Sequence, residues 1–127
     1  MESINFIQFY RNNITNMNWM FYDCSSLKYL NLSNFKTNNM KSMKAMFSKC
    51  ISLEELDVSK FEIENVINMC EMLLGCNSLK KLDLSNFNTN KVTDMSGMFN
   101  GCSALEELNI SNFNTNNVIH FKKMFKN

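Results

Sequence analysis

The chain has no proline and only three glycines, Gly75, Gly97 and Gly101, in 127 residues. Proline and glycine are the residues that most often make tight turns, because proline presets φ and glycine tolerates positive φ. The chain therefore has few local turn devices. A repeated structure held together by stacking would need few of them.

Three further absences narrow the class of protein. Thirteen basic and twelve acidic residues leave a formal net charge of +1, so there is no basic excess of the kind that binds nucleic acid. No uninterrupted apolar run approaches the roughly 18–20 residues of a membrane-spanning helix. Residues 1–7 lack a basic stretch followed by an apolar one, so no signal peptide is expected.

Reactive groups are also scarce. His120 is the only histidine, and no serine, cysteine or carboxylate is placed by a motif to partner it. The five cysteines include no C-x-x-C pair, so a zinc site is not supported. We therefore expect no catalytic residue, no metal site and no cofactor, and we do not expect an enzyme.

One sequence pattern repeats along the whole chain at a constant interval. Its clearest copy is segment 78–87, in which Leu82 and Leu84 alternate with Asp83 and Ser85 as in a half-buried strand. Segments 27–35, 53–61 and 105–113 have the same pattern. Their first leucines and Leu79 follow one another at intervals of 26 residues. The chain is thus an array of one short unit.

The same interval explains most of the cysteines. One cysteine recurs in each unit at the same position: Cys24, Cys50, Cys76 and Cys102. Only Cys70 is out of phase. We interpret the recurring four as buried free thiols that pack as small apolar side chains. Disulfides between neighbouring units are the alternative, because stacked positions would lie near disulfide range.

A second apolar pattern precedes each strand. Its residues recur at i, i+3, i+4, i+7 and i+10, as in Met43, Met46, Phe47, Cys50 and Leu53. This spacing is typical of a helix that buries one face and predicts about two helical turns in each unit. Polar residues suited to N-caps come just before it: Asn16, Ser42, Asn68 and Asp94.

The strand pattern L-x-x-L-x-L-x-x-F resembles the strand segment of leucine-rich repeats, with phenylalanine where asparagine or cysteine is usual. The fuller unit over 82–102 is similar to the BspA-like leucine-rich repeat of bacterial and protist surface proteins, and the resemblance covers nearly the whole chain. It implies a cell-surface or secreted array that binds host or neighbouring-cell proteins. The sequence itself fixes no localisation, since neither a signal peptide nor an anchor is recognisable.

The predicted fold class is α/β: a leucine-rich-repeat solenoid with parallel strands on one face, backed by short helices, with a 26-residue repeat. Neighbouring units would bury each other's apolar positions. We treat 1–127 as a single repeat domain, with a partial unit 1–13, full units 14–39, 40–65, 66–91 and 92–117, and a partial unit 118–127.

The outward positions of the strands form a candidate partner-binding surface, here called the strand face. It comprises Tyr29, Asn31, Ser33, Glu55, Asp57, Ser59, Lys81, Asp83, Ser85, Glu107, Asn109 and Ser111. An alternative role is to set register and solubility, because charges in the first columns change sign from unit to unit. Asp57 and Asp83 are the exception, since stacking would place like charges together.

The two ends of the array form a second candidate surface. Tyr10, Trp19 and Tyr22 occupy positions that are mostly polar in later units, and Phe125 belongs to an incomplete last unit. Aromatic residues here would either cap the open end or dock another unit or chain. Self-association through uncapped ends is one expected consequence.

These patterns predict a non-catalytic protein–protein interaction or adhesion module. The alternative is a structural spacer, or a fragment of a longer stacked array. The expected partner is a protein, which the resemblance implies belongs to the host or a neighbouring cell, with no nucleic acid and no membrane span.

Overall fold

The structure is a computed structural model that describes residues 2–5 and 13–126. It contains five short strands, β1 (Ser3–Asn5), β2 (Tyr29–Asn31), β3 (Glu55–Asp57), β4 (Lys81–Asp83) and β5 (Glu107–Asn109). Strands β1, β2 and β3 form one sheet in that order, and β4 and β5 form another. Every pairing is parallel, so the prediction of parallel strands is confirmed.

The pairing register follows the apolar positions of the strands. Leu30 lies opposite Leu56, and Leu82 lies opposite Leu108. Each of these partners lies one full unit further along the chain than the residue it faces. Leu30 and Leu82 are buried while the residues on either side of them in the strand are exposed, as an alternating strand requires.

No helix forms among the described residues, so the prediction of short helices behind the strands is wrong. Turns take their place. In the unit 40–65, the N–H of Met46 donates to the carbonyl of Met43 at 3.2 Å, three residues back. The intervening N–H of Ala45 donates to the carbonyl of Cys70 in the next unit at 2.8 Å. Some amides of this segment therefore close a local turn, and the amides between them bind the neighbouring unit.

Left-handed residues explain why these turns do not join into a helix. Ala45 and Lys49 have φ values of 52° and 63°. Non-glycine residues in this region cost about 1–3 kcal/mol each, and a right-handed helix cannot continue through them. The equivalent positions in other units are also left-handed: Trp19, Asp23, Glu71, Gly75, Gly97, Gly101 and Lys123.

The residues predicted as N-caps form a related local structure. The side-chain oxygens of Asn16, Asn68 and Asp94 each accept the N–H two residues ahead, at 2.8–2.9 Å. Side chains of this type stabilise turns in the same way that they cap helices. Single parallel bridges also join these positions from unit to unit, from Asn16 through Ser42, Asn68 and Asp94 to His120.

The core lies between the strands and this ladder of turns. It is built from methionine, leucine, valine, cysteine and phenylalanine side chains that form one buried cluster. Phe21 and Phe47 stack with ring centroids 5.7 Å apart and planes 6° apart. Phe61 and Phe87 stack in the same way at 6.4 Å. Close packing of these side chains therefore stabilises the fold.

Candidate functional site

All twelve residues of the strand face lie at the surface, exposed or half-buried. The strand register places them in rows across each sheet, so that Tyr29 is opposite Glu55 and Lys81 is opposite Glu107. Tyr29 is 42% exposed and its hydroxyl donates to the Glu54 carboxylate at 3.5 Å. Aromatic, acidic and basic groups are thus presented side by side.

The asparagine and aspartate column of the strand face also shapes the backbone. Each of its side chains accepts the N–H of the residue two positions ahead, at 2.8–3.1 Å, in Asn31, Asp57, Asp83 and Asn109. These bonds make a turn directly after β2, β3, β4 and β5. Hydrogen bonds from Ser85 lower the pKa of Asp83, because they stabilise the charged carboxylate.

Opposite charges in or just before neighbouring strands form ion pairs in two places. Lys28 lies 3.7 Å from Glu2, and Lys81 lies 2.6 Å from Glu107. The second pair is about two-thirds exposed on both sides, so its contribution to stability is at most about 1 kcal/mol. A hydrogen bond from Lys81 to Glu107 also raises the pKa of Lys81.

The change of charge sign from one unit to the next does not produce ion pairs between β3 and β4. In the part of the chain that the structure describes, no ion pair joins Glu54 or Glu55 to Lys80 or Lys81. No strand pairing joins β3 to β4 either, and the sheet divides at this point. We call this gap the β3–β4 opening.

Two backbone hydrogen bonds that join β4 to β5 have no equivalent between β3 and β4. The N–H groups of Glu106 and Glu107 both donate to the carbonyl of Lys80, at 2.9 and 3.1 Å. The equivalent bonds would run from Lys80 and Lys81 to Glu54. Neither occurs among the described backbone bonds, so these strand-edge groups are not paired with each other.

A cleft of about 830 Å³ lies at the opening. Glu54 and Glu55 line one side of it, and Lys80 and Lys81 line the other. Leu56 is also in the lining and is half-buried, whereas Leu30 and Leu82 are buried at equivalent positions. The sequence pattern indicates the like charges of Asp57 and Asp83 but does not predict this cleft.

The aromatic residues assigned to the ends have different surroundings. Trp19 and Tyr22 are 53% and 42% exposed, and the ammonium groups of Lys44 and Lys49 lie 5.6 and 5.2 Å from their rings. Both therefore contact the following unit on the turn side. Phe125 is 62% exposed and stacks on Phe99 at 5.1 Å. Tyr10 lies outside the described residues.

All five cysteines are free thiols. The sulfurs of Cys50, Cys76 and Cys102 donate to the carbonyls of the preceding unit at 3.1–3.2 Å. Burial raises the pKa of Cys50 to about 12 and of Cys102 to about 11, and it raises that of Cys76 as well. Cys24 and Cys70 are half-buried. High pKa values make the buried thiols unreactive at neutral pH.

Two further features, a metal-binding cluster and a membrane-spanning helix, are absent from the described residues. They contain no cluster of three histidine, cysteine or acidic side chains that could hold a metal ion. They also contain no helix long and apolar enough to cross a membrane. His120 is exposed, and its backbone continues the ladder of turns next to Asp94.

Comparison with known proteins gives one family. Residues 2–81 and residues 53–127 each match the model of the family described as "Mycoplasma protein of unknown function, DUF285". No curated protein and no solved structure matches the chain.

Proposed function

We propose that this chain, which belongs to the DUF285 family of Mycoplasma proteins of unknown function, is a non-catalytic module for protein–protein interaction or adhesion. We further propose that its architecture is a BspA-like leucine-rich-repeat solenoid. The parallel strands, paired with a constant offset along the chain, support that architecture. Each surface column then repeats at the spacing of neighbouring strands, which is about 4.8 Å.

The observation that carries the proposal is the strand face. It presents Tyr29, Glu55, Lys81 and Glu107 at the surface on strands held by a buried core. Rigid elements hold interacting groups more accurately than loops do, and mixed charges with an aromatic residue suit recognition of a protein surface. We propose a protein partner of a host or neighbouring cell, and a location at the cell surface or outside it.

A second candidate function is that of a structural spacer, or of one part of a longer stacked array. The large apolar residues of the last units favour it. Ile119, Phe121 and Phe125 are 69%, 65% and 62% exposed, and exposed apolar patches mark contact surfaces. Self-association through these residues belongs to the same proposal and stays a prediction.

The proposal is tested with two baits made from the whole chain. One is the unchanged chain, and the other carries Tyr29→Ser, Lys81→Glu and Glu107→Lys, which exchange the two charges of an ion pair and preserve net charge. Both are immobilised and exposed to biotin-labelled proteins released from cell surfaces. We expect the strand-face variant to retain at least tenfold less of any specifically bound protein, measured by quantitative mass spectrometry.

A matched control bait carries Glu64→Lys and Lys122→Glu. Both residues are exposed and lie outside the strand face, and the double change also preserves net charge. It should retain the same proteins as the unchanged chain. Equal retention by all three baits would contradict binding through the strand face, and no specific retention by any bait would favour the spacer.

A further inference from the structure

Large apolar side chains are exposed mainly on the side of the array that lies across the core from the strand face. We call this side the turn face. It consists of the outward residues of segments 15–26, 41–52, 67–78, 93–104 and 119–126. Trp19, Tyr22, Ile67 and Ile119 are all exposed there. Among the described residues of the strand face, Tyr29 is the one large apolar side chain that is exposed.

Backbone hydrogen bonds arrange the turn face in regular columns. The N–H of Ile67 donates to the carbonyl of Lys41 at 2.9 Å, and the N–H of Thr93 donates to the carbonyl of Ile67 at 2.9 Å. The N–H of Ile119 then donates to the carbonyl of Thr93 at 2.8 Å. Basic and apolar side chains therefore lie in one column, in units that are bonded to each other.

Lysines lie beside the two aromatic rings of the turn face. The ammonium group of Lys44 is 5.6 Å from the centre of the Trp19 ring, and that of Lys49 is 5.2 Å from the centre of the Tyr22 ring. Both distances are within the range of a cation–π contact. Each exposed ring is thus held next to a positive charge.

The turn face is basic, whereas the strand face is acidic. The basic residues of the turn face are Lys41, Lys44, Lys49, Lys122, Lys123 and Lys126, and its acidic residues are Asp23, Glu71 and Asp94. In the described parts of the chain, none of these lysines forms an ion pair. On the strand face, acidic residues outnumber the one lysine, Lys81. The turn face therefore attracts a negatively charged partner.

We propose that the turn face binds the surface of an anionic phospholipid bilayer, with Trp19, Tyr22 and Ile119 at the level of the headgroups. Tryptophan and tyrosine are typical of the membrane–water interface, and each lysine near anionic headgroups strengthens binding. Lysine stems cover apolar surface while their ammonium groups reach the lipid phosphates. This activity goes beyond protein binding and leaves the strand face free for a protein partner.

The layout of the turn face favours a bilayer over an acidic protein. Trp19 and Ile119 lie in units separated by four strand spacings, about 19 Å, so the apolar side chains are spread along the array. Protein interfaces concentrate their binding energy in one packed central cluster. A bilayer interface accepts apolar and basic side chains spread over an extended surface. The acidic strand face of a second copy is an acidic protein surface in this sense, and the test below includes it.

Trp19 is the only tryptophan of the chain and reports contact with lipid directly. The whole chain is titrated with vesicles of phosphatidylcholine alone, or of equal amounts of phosphatidylcholine and phosphatidylglycerol. We expect the anionic vesicles to shift Trp19 emission to shorter wavelength and brominated acyl chains to quench it, because the ring leaves water. Neutral vesicles should bind at least tenfold more weakly, and added salt should weaken binding to the anionic ones.

Two matched variants test the charges of the turn face. Lys123→Gln with Lys126→Gln removes two exposed lysines from the turn face, and we expect at least tenfold weaker binding to anionic vesicles. Lys60→Gln with Lys80→Gln removes two exposed lysines that lie outside it. Net charge changes equally in both variants, but the second should alter binding less than threefold.

Two tyrosines of equal exposure test the apolar part. Tyr22 on the turn face and Tyr29 on the strand face are both 42% exposed. Tyr22→Ser should weaken vesicle binding at least threefold, because an interfacial ring is lost. Tyr29→Ser should leave binding unchanged. Sedimentation with vesicles measures both variants.

Three results would overturn the proposal: unchanged Trp19 emission with both kinds of vesicle, equal binding to neutral and anionic vesicles, or equal effects within either pair of variants. Self-association that Lys123→Gln with Lys126→Gln abolishes, without vesicle binding, would assign the turn face to a second copy. Loss of captured proteins from a bait with the same two substitutions, again without vesicle binding, would assign it to an acidic protein. The strand-face bait judges protein binding independently, since it changes no residue of the turn face.

Discussion

Phe47→Ala is expected to lower the free energy of unfolding by about 3–5 kcal/mol. Phe47 is fully buried and its ring stacks on Phe21 of the preceding unit. Truncation would remove apolar contacts and leave a cavity between two units that depend on each other for burial. Since a typical domain is stable by only about 5–15 kcal/mol, this one change should remove a large fraction of the total.

Two control variants are taken from a comparison of this position across the units. Phe125→Ala removes the same side chain where it is 62% exposed, so we expect a loss of about 1 kcal/mol or less. Phe47→Leu introduces the residue that the next unit has, Leu73, and should cost less than about 1.5 kcal/mol. Urea unfolding measures all three. Similar losses for Phe47→Ala and Phe125→Ala would contradict burial between units.

Stability is expected to fall steeply between about pH 9 and pH 11. Burial raises the pKa of Cys50 to about 12 and that of Cys102 to about 11, and raises that of Cys76. In this window the thiols of the unfolded chain lose protons, because their ordinary pKa is about 8.5, while the folded chain keeps them. Each thiol therefore lowers the free energy of unfolding by up to about 1.4 kcal/mol per pH unit, or about 4 for the three together.

A matched variant separates the thiols from other groups that titrate in alkali. Cys102→Ala removes one of the three buried thiols and should make the slope shallower, by at most about 1 kcal/mol per pH unit over this window, because the pKa of Cys102 in the folded chain is about 11. The free energy of unfolding is measured with urea at successive pH values under reducing conditions, and its slope against pH is compared between the two chains. A loss of stability that is the same at every pH does not change this slope. Identical slopes would show that the buried thiols titrate alike in the folded and unfolded chain.

The strands could be predicted because their signal is local and repeated. Leucines at every second position, as in Leu82 and Leu84, fix which side of a strand is buried. Copies of the pattern at a constant offset then indicate which residues lie opposite each other. The pairings of Tyr29 with Glu55 and of Lys81 with Glu107 follow that offset.

The helices were predicted wrongly because a helix and a series of tandem turns place apolar residues at the same spacing along the sequence. Tandem turns bring residues such as Met43, Met46 and Phe47 to the same side, as a helix would. Left-handed residues distinguish them, but Ala45 and Glu71 adopt positive φ without being glycine. Gly97, at the same position in its unit, was the available signal.

The β3–β4 opening depends on a balance that the repeat pattern does not show. The sequence placed Asp57 and Asp83 in one column, so their repulsion was predictable. Its consequence was not, because the repulsion of two carboxylates is similar in size to the backbone bonds and burial that favour strand pairing. The exchange of threonine, as in Thr37 and Thr89, for isoleucine at Ile63 was also visible, but only the structure shows that the threonine hydroxyls link units.

Amide hydrogen exchange in the unliganded chain is the most direct test that the units stack in parallel with one open strand pair. Lys80 and Lys81 should exchange at least tenfold faster than Glu106 and Glu107, whose N–H groups donate to the carbonyl of Lys80. The amides of the turn ladder, such as Ala45, should be protected throughout. Equal protection of the two strand pairs would show that β3 and β4 are joined, and would contradict an open strand pair at this point of the sheet.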